Sequence, residues 1–163
     1  MRKDLIIISL AFTLVSGDFF AFAKTTRGGM DRVYKAWDGP SYVIAAQSLY
    51  VASVAARYNS IQSPEIRPDF TFLPAHFPLY PWLIRLLSPL GYYQSMLVLS
   101  LFFSWLALLA FYLLATQLRL KSPLLLTLPL ILLPPRWFIL SHTGSTEPLF
   151  LTFVLLSFLF YFR

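Results

Sequence analysis

The run YYQSMLVLSLFFSWLALLAFYLLATQL, residues 92–118, decides the fold class of this chain. It lies inside an interval from Arg85 to Arg119 in which no side chain between the two arginines is charged. At about 1.5 Å per residue, a helix of this length crosses the roughly 30 Å hydrocarbon core of a bilayer. The run therefore predicts a transmembrane helix.

The composition of the whole chain agrees with a membrane location. Of its 163 residues, 58% are hydrophobic and only 12% are charged, whereas soluble domains carry about 25% charged residues. The net charge of +6 is not gathered into a basic stripe, so we expect membrane-flanking residues and anion ligands rather than a nucleic-acid partner. The chain has no cysteine, which excludes disulfides and thiolate metal sites. We predict an all-α integral membrane protein.

The first apolar stretch, residues 5–23, has two interpretations. It is long enough for a first transmembrane helix. It also follows a basic N-terminus and ends in Ala21-Phe22-Ala23, which is the pattern of a cleavable signal peptide. Both interpretations leave the N-terminus in the cytoplasm and bring Lys24 out on the other face.

Residues 24–76 are the most polar part of the chain and predict a large external loop. Within this loop, PSYVIAAQSLYVASVAARY (residues 40–58) is typical of a helix, because Pro40 suits a first helical turn and alanines continue it. Its apolar residues and terminal Arg57 predict an interfacial helix lying along the membrane surface.

The rest of the chain predicts three further membrane segments. Residues 77–118 return to the membrane and form the second span, and a cytoplasmic turn with Arg119 and Lys121 follows. Residues 122–138 and 146–162 form the third and fourth spans, with apolar cores shorter than the roughly 20 residues that a span needs. A polar linker between two short helices predicts a depression below the outer surface.

Together these segments predict about four transmembrane helices in one membrane domain, residues 1–163. The orientation of the charges predicts a multi-pass protein of the cell membrane with a cytoplasmic N-terminus. The last segment stops without a tail, as half of something larger would.

Three stretches are similar, in order and placement, to motifs of the GT-C superfamily of polyprenyl-phosphate-sugar-dependent glycosyltransferases. They are WDGPSYVIAAQSLY (37–50), FPLYPWLIRLLS (77–88) and STEPLFLTFVLLSFLFYFR (145–163). The chain resembles the mannosyltransferases of the PIG-V type and their bacterial relatives over most of residues 30–163. It departs from them at Leu49, where glycine is usual, and at Pro148, which replaces a serine. Members of the superfamily carry several more spans, so the resemblance is to an N-terminal portion, which is expected to be inactive alone.

The resemblance implies transfer of a hexose, mannose as the first expectation, from a polyprenyl-phosphate donor to a glycan or lipid acceptor outside the cytoplasmic face. The chemistry asks for a carboxylate to take the acceptor proton, cations to stabilise the leaving phosphate, and an apolar groove for the prenyl tail. Asp38 is the expected general base, and Arg85 and Arg136 are the expected phosphate ligands. Glu147 and His76 are expected to help bind donor or acceptor. The aromatic side chains of Phe77, Tyr80 and Trp82 are the expected groove.

Each of these residues also has a plainer explanation. Asp38 would cap the helix that follows it, and Glu147 would complement a helix dipole. Arg85 and Arg136 would snorkel to lipid headgroups, and His76 would be an interfacial histidine.

Two further questions stay open at this stage. Two histidines and scattered acids define no metal site, so no metal ligands are expected and a divalent-metal requirement is left open. The alternative function is a non-catalytic membrane subunit or a lipid-binding or transport protein. In either case membrane lipids are the surrounding partners.

Overall fold

A computed structural model describes residues 1–61 and 76–162 of the chain, and the regular elements in these ranges are all helical. The predicted all-α class is therefore confirmed for the described residues. The remainder of the predicted external loop, residues 62–75, and the terminal Arg163 lie outside them. The α-helices of the described ranges are α1 (Arg2–Thr25), α2 (Gly29–Tyr34), α3 (Gly39–Ser48), α4 (Ala52–Ala55), α5 (Leu79–Leu86), α6 (Tyr92–Gln117), α7 (Pro123–Thr127), α8 (Pro135–Ser141) and α9 (Glu147–Tyr161). Short 3-10 turns cover Ala56–Ile61, Ser88–Leu90 and Leu128–Ile131.

Helices α1 and α6 are each long and apolar enough to cross a membrane. They hold 24 and 26 residues, which corresponds to about 36 and 39 Å. They run antiparallel, because the Trp105 indole of α6 donates to the Ser9 hydroxyl of α1 at 2.9 Å and the Tyr112 hydroxyl donates to Asp4. The two longest predicted spans are thus present. Cleavage after Ala23 stays a prediction that N-terminal sequencing decides.

The predicted third span is a broken one. Helix α7 with its 3-10 extension and helix α8 form a pair bent by 70°. Pro134 and Pro135 interrupt the hydrogen-bond ladder between them, since proline has no N–H to donate. The described residues therefore contain two helices that can span a membrane, or three if the bent pair is one span. Of the four or so predicted spans, the described residues therefore show two or three.

Helix α9 has 15 residues, about 22 Å, and is too short to cross the hydrocarbon core unaided. It runs in the same direction as α6, because Thr152 donates to the Phe103 carbonyl at 2.7 Å and Leu159 lines a pocket with Leu113. Its start is beside Ser100, about 12 Å along α6 from the first residue of that helix. Helix α9 therefore begins inside the molecule and not level with the start of α6.

The linker that precedes α9 lies at the same depth and is buried. Ser141, His142, Thr143 and Ser145 are all buried polar residues. The His142 ring bonds both the Ser16 hydroxyl of α1 and the Phe138 carbonyl of α8. Irregular backbone at membrane depth is stable only when protein or water satisfies its polar groups. Here protein groups bond the His142 ring and the Ser145 N–H. The linker is packed against protein, and a depression between the two short helices stays a prediction.

The predicted surface helix over residues 40–58 is wrong in two respects. The helix ends at Ser48, because Leu49 and Tyr50 have φ of +50° and +66°, a left-handed conformation that no α-helix continues through. In addition, α3 is buried along nearly its whole length rather than lying on lipid with one face. Its alanine and serine side chains are small enough for neighbouring helices to approach from several sides.

Candidate functional site

Two glycines bring a turn and a linker into backbone contact. Gly39 is the first residue of α3, and Gly144 lies in the buried linker between α8 and α9. A Cβ atom on Gly144 would lie 2.8 Å from the Gly39 Cα and would overlap the Met96 side chain. A Cβ atom on Gly39 would lie 2.9 Å from the Tyr34 carbonyl oxygen. Only a hydrogen fits at either position, so the residues next to Gly39 and Gly144 are held close together.

Asp38 precedes Gly39 and begins α3, yet its carboxylate bonds none of the N–H groups of that helix. Pro40 explains part of this, since a capping side chain bonds the second or third helical N–H and a proline at the second position has none. The side chain is exposed, and among the described residues it has no ion-pair partner. In this geometry Asp38 does not act as a side-chain cap, and its oxygens are available to a ligand.

Tyr42, one helical turn after Asp38, joins the turn to the linker. Its hydroxyl lies 3.0 Å from the Thr146 hydroxyl, a hydrogen bond in which either oxygen can donate. Its ring packs edge-on against His76 and Tyr80, with centroids 4.9 and 5.1 Å apart. The side chain is therefore fixed on three sides.

Burial and nearby charges shift the pKa of the Tyr42 hydroxyl. Burial raises this pKa above the ordinary value of 10.0, and the bond to Thr146 partly opposes the rise. The negative charges of Asp38 and Glu147 raise it further. Both carboxylates are thus close enough to act on one phenol, although 109 positions separate them along the chain (147 minus 38).

Arg136 reaches the same region from α8. Its guanidinium carbon lies 5.7 Å from the centre of the Trp37 ring, within the range of a cation–π contact. Trp37 is 52% exposed and has φ of +52°, which costs a bulky residue about 1–2 kcal/mol. An exposed cation–π contact stabilises the folded state by about 0.5–1 kcal/mol. The contact alone does not account for the strain.

Glu147 is the first residue of α9 and directly follows Thr146. Its side chain is exposed, and none of the described residues forms an ion pair with it. The dipole of α9 favours a negative charge at this position, so the plainer explanation of Glu147 also fits. In addition, Glu147 and Asp38 both lie near Tyr42. We call Asp38, His76, Arg136 and Glu147, together with Trp37 and Tyr42, the Asp38 cluster.

Arg85 does not join the Asp38 cluster. Its guanidinium donates to the carbonyls of Ala46 and Gln47 at 3.0 and 3.3 Å. These carbonyls are at the C-terminal end of α3, where a cation complements the helix dipole. The rise of α3 separates Asp38 from Ala46 by about 12 Å. The predicted role of Arg85 in phosphate binding stays a prediction, at a distance from the other residues.

The predicted groove of Phe77, Tyr80 and Trp82 is wrong for Tyr80, whereas Phe77 and Trp82 are exposed and their role stays a prediction. Tyr80 is 1% exposed, and its hydroxyl bonds the Ser100 hydroxyl at 2.6 Å and the Met96 carbonyl at 2.9 Å. It is a core residue that ties α5 to α6, because the aromatic pattern of the motif does not distinguish a buried face from an exposed one.

An apolar groove is present elsewhere, between α6, α9 and the bent pair α7–α8. Its volume is about 420 Å³. The residues lining it include Phe111 on α6, Leu155 on α9 and Trp137 on α8, and they are almost entirely apolar. Trp137 follows Arg136 directly, so α8 contributes a residue to the groove and the cation to the Asp38 cluster.

Residues 1–61 and 76–162 contain no group of three or more His, Cys, Asp or Glu side chains that could hold a metal ion. The Asp38 cluster combines two carboxylates and one arginine. Such a set can accept a proton from a hydroxyl, hydrogen-bond a polyol and attract an anion on the Arg136 side.

Sequence reasoning missed Tyr42, Thr146, Gly144 and Trp37. Tyr42 and Thr146 are unremarkable residue types in an apolar chain, and only the backbone contact of the glycines makes them neighbours. Trp37 had a usable signal, since it precedes the isolated acid in the first motif.

No known family model, curated protein or solved structure matches the chain. Its class therefore rests on its own fold, an all-α architecture with two or three apolar helices long enough to cross a membrane. Such an architecture is that of a multi-pass membrane protein.

Proposed function

We propose that this chain is a membrane glycosyltransferase of GT-C type. It moves a hexose, mannose in the first instance, from a polyprenyl-phosphate donor to a glycan or lipid acceptor on the non-cytoplasmic face. The observation that carries the proposal is the contact between the Asp38 turn and the linker that leads to Glu147, made by Gly39 with Gly144 and by Tyr42 with Thr146. Arg136 lies over Trp37 in the same turn, and the helix of Arg136 borders an apolar groove.

The reaction follows from the groups available. The acceptor hydroxyl gives its proton to the Asp38 carboxylate while its oxygen bonds the anomeric carbon of the sugar. The bond from that carbon to the phosphate oxygen breaks, and its electron pair leaves with the polyprenyl phosphate. Arg136 stabilises the charge that develops on this phosphate. Direct displacement inverts the anomeric carbon, and Asp38 then releases its proton to water.

The left-handed backbone at Leu49 gives the proposal further support. The family pattern expects glycine at this position, and glycine adopts a positive φ without strain. Leu49 has φ of +50°. A glycine would therefore fit the backbone of this chain at position 49.

The alternative function is also supported by one observation, the apolar groove, because a lipid-binding or transport subunit would need it equally. The two hypotheses differ in whether Asp38 is required. Asp38→Asn preserves the size of the side chain and removes the base. The matched control is Asp31→Asn, since Asp31 is an exposed acid on α2 that pairs with Lys35 at 2.7 Å.

The experiment is transfer of radiolabelled mannose from polyprenyl-phosphate-mannose in membranes containing the full-length product of the locus. We expect Asp38→Asn to lower the rate at least about a hundredfold and Asp31→Asn to leave it unchanged. Equal rates for the wild type and Asp38→Asn would reject the enzymatic proposal and favour the lipid-binding one.

A further inference from the structure

Trp37 combines three properties that a structural tryptophan rarely has together. Its ring is half exposed, its backbone is in the left-handed region, and a guanidinium lies over it. Strained backbone of this kind is concentrated at functional sites, where the surrounding structure maintains it. The turn that holds Trp37 is maintained by the Gly39 N–H, which bonds the Ala36 carbonyl at 3.2 Å.

Arg136 forms no ion pair with an acidic side chain of the described residues. The ion pairs of the described residues are Met1 with Asp4 and Lys35 with Asp31, so the guanidinium keeps its charge for an external anion. Its planar group can stack on the indole while its N–H donors point outward to a phosphate in bidentate fashion. Arg136 and Trp37 thus offer a cation and an apolar ring side by side.

A hexosyl phosphate has the matching pair of features. The phosphate is anionic, and one face of the sugar ring presents C–H groups that pack on an aromatic surface, as other apolar groups do. We infer that Trp37 is the platform for the sugar ring of the donor and that Arg136 holds the adjoining phosphate. This inference rests on the proposed function and adds the residue that recognises the sugar.

Placing the sugar on Trp37 also explains why the acid follows it in the chain. Asp38 is the next residue in the chain. Its carboxylate would therefore lie close to the anomeric carbon of a sugar that packs on the Trp37 ring. The tail of the same donor would continue past Arg136 to Trp137, which lines the apolar groove. One ligand would then occupy the platform, the cation and the groove together.

The test is equilibrium binding to the full-length protein in lipid nanodiscs. The two probes are polyprenyl-phosphate-mannose and polyprenyl phosphate without a sugar. We expect Trp37→Ala to weaken binding of the mannosylated probe about tenfold and to leave binding of the bare phosphate within about twofold. Arg136→Ala should weaken both probes. Trp37→Phe keeps an aromatic ring and should retain most of the preference for the sugar.

Two control variants separate a local effect from a general one. Tyr161→Ala removes an exposed aromatic ring at the end of α9, away from the Asp38 cluster. Arg32→Ala removes an exposed cation of α2. Neither should change the preference for the mannosylated probe. If Trp37→Ala does not fold, Trp37→Phe is compared with Trp37→Leu, which fills the space without a ring.

The failures are distinguishable. If Trp37→Ala weakens both probes equally, or neither, while wild-type transfer still requires Asp38, the sugar platform is wrong and the glycosyltransferase proposal stands. If the wild type binds neither probe and transfers no mannose, the donor class is wrong, and the platform is rejected with it.

Discussion

At the scale of single residues, the structure shows which charged residues lie close together, and the sequence alone does not. Asp38 and Glu147 were predictable because charge is rare in this chain and each acid sits at the start of an apolar stretch. Their proximity was not predictable, because it depends on a contact between segments that are far apart in sequence. Arg85 and Arg136 had the same predicted role, but the structure places Arg85 on the carbonyls at the end of α3 and Arg136 over Trp37.

The hydrogen bond between Tyr42 and Thr146 gives the first prediction at this scale. Tyr42→Phe removes one hydroxyl and Thr146→Val removes the other, each without a large change in volume. A typical intramolecular hydrogen bond contributes about 0.5–1.5 kcal/mol, so each variant should lose about 1 kcal/mol of unfolding free energy.

The double variant tests whether the two losses share one cause. If the hydroxyls bond each other, the double variant should lose little more than either single variant. The measurement is thermal or chemical unfolding in detergent. Strictly additive losses would mean that the two hydroxyls have other partners.

The buried phenols predict how stability depends on pH. Burial raises the pKa of Tyr42 and of Tyr80 above the ordinary value of 10.0. The folded state then binds these protons more tightly than the unfolded state, so their contribution to stability is complete below about pH 10 and is lost as the pH rises further.

We therefore expect the melting temperature in detergent to fall as the pH rises above about 10. Tyr80→Phe should make that fall shallower, because Tyr80 is the more deeply buried of the two phenols. If the fall in Tyr80→Phe and in Tyr42→Phe is as steep as in the wild type, other groups control the alkaline transition.

At the scale of helices and linkers, the long spans followed from composition and the breaks did not. An uninterrupted apolar run predicted α6 almost to the residue. The end of α3 at Ser48 was not predicted, because the next two residues, Leu49 and Tyr50, include no glycine or proline that would indicate a left-handed turn. The start of α9 beside Ser100 was not predictable, because it depends on a contact with a distant part of the chain.

The two close-packed glycines give the prediction that belongs to this scale. Gly144→Ala places a Cβ atom against the Gly39 backbone and the buried Met96. Overpacking of this kind costs about 1–3 kcal/mol, and here it also pushes the α9 linker away from Asp38. We expect Gly144→Ala to lower both stability and sugar transfer.

Gly17 offers a matched control within α1. A Cβ atom at Gly17 would have nothing within 4 Å, and alanine is a better helix former than glycine by about 0.5–1 kcal/mol. Gly17→Ala should be neutral or stabilising in the same unfolding measurement. Equal behaviour of Gly17→Ala and Gly144→Ala would show that the glycine contact does not constrain the linker.

At the scale of the whole molecule, the helices define two ends. One pocket is lined by Met1, just before α1, by residues of the last turns of α6, and by Leu159 near the end of α9. The Asp38 cluster lies at the other end, where α6 begins. A cluster of charge at one end of an apolar bundle is the arrangement expected for chemistry at a membrane boundary, and the predicted non-cytoplasmic orientation would place it outside the cytoplasm.

The most direct test of the account is whether positions 38 and 147 are neighbours in the membrane. The chain has no cysteine, so the double variant Asp38→Cys, Glu147→Cys contains only the two intended thiols. A protease site inserted in the Arg119–Lys121 turn separates the fragments that carry them. After treatment with a short bifunctional maleimide, we expect the two fragments to stay joined on a denaturing gel. The control pair Asp38→Cys, Lys121→Cys, cut between α6 and position 121, should come apart. Separation of the fragments in the 38–147 variant, with both thiols shown to be reactive, would contradict the account.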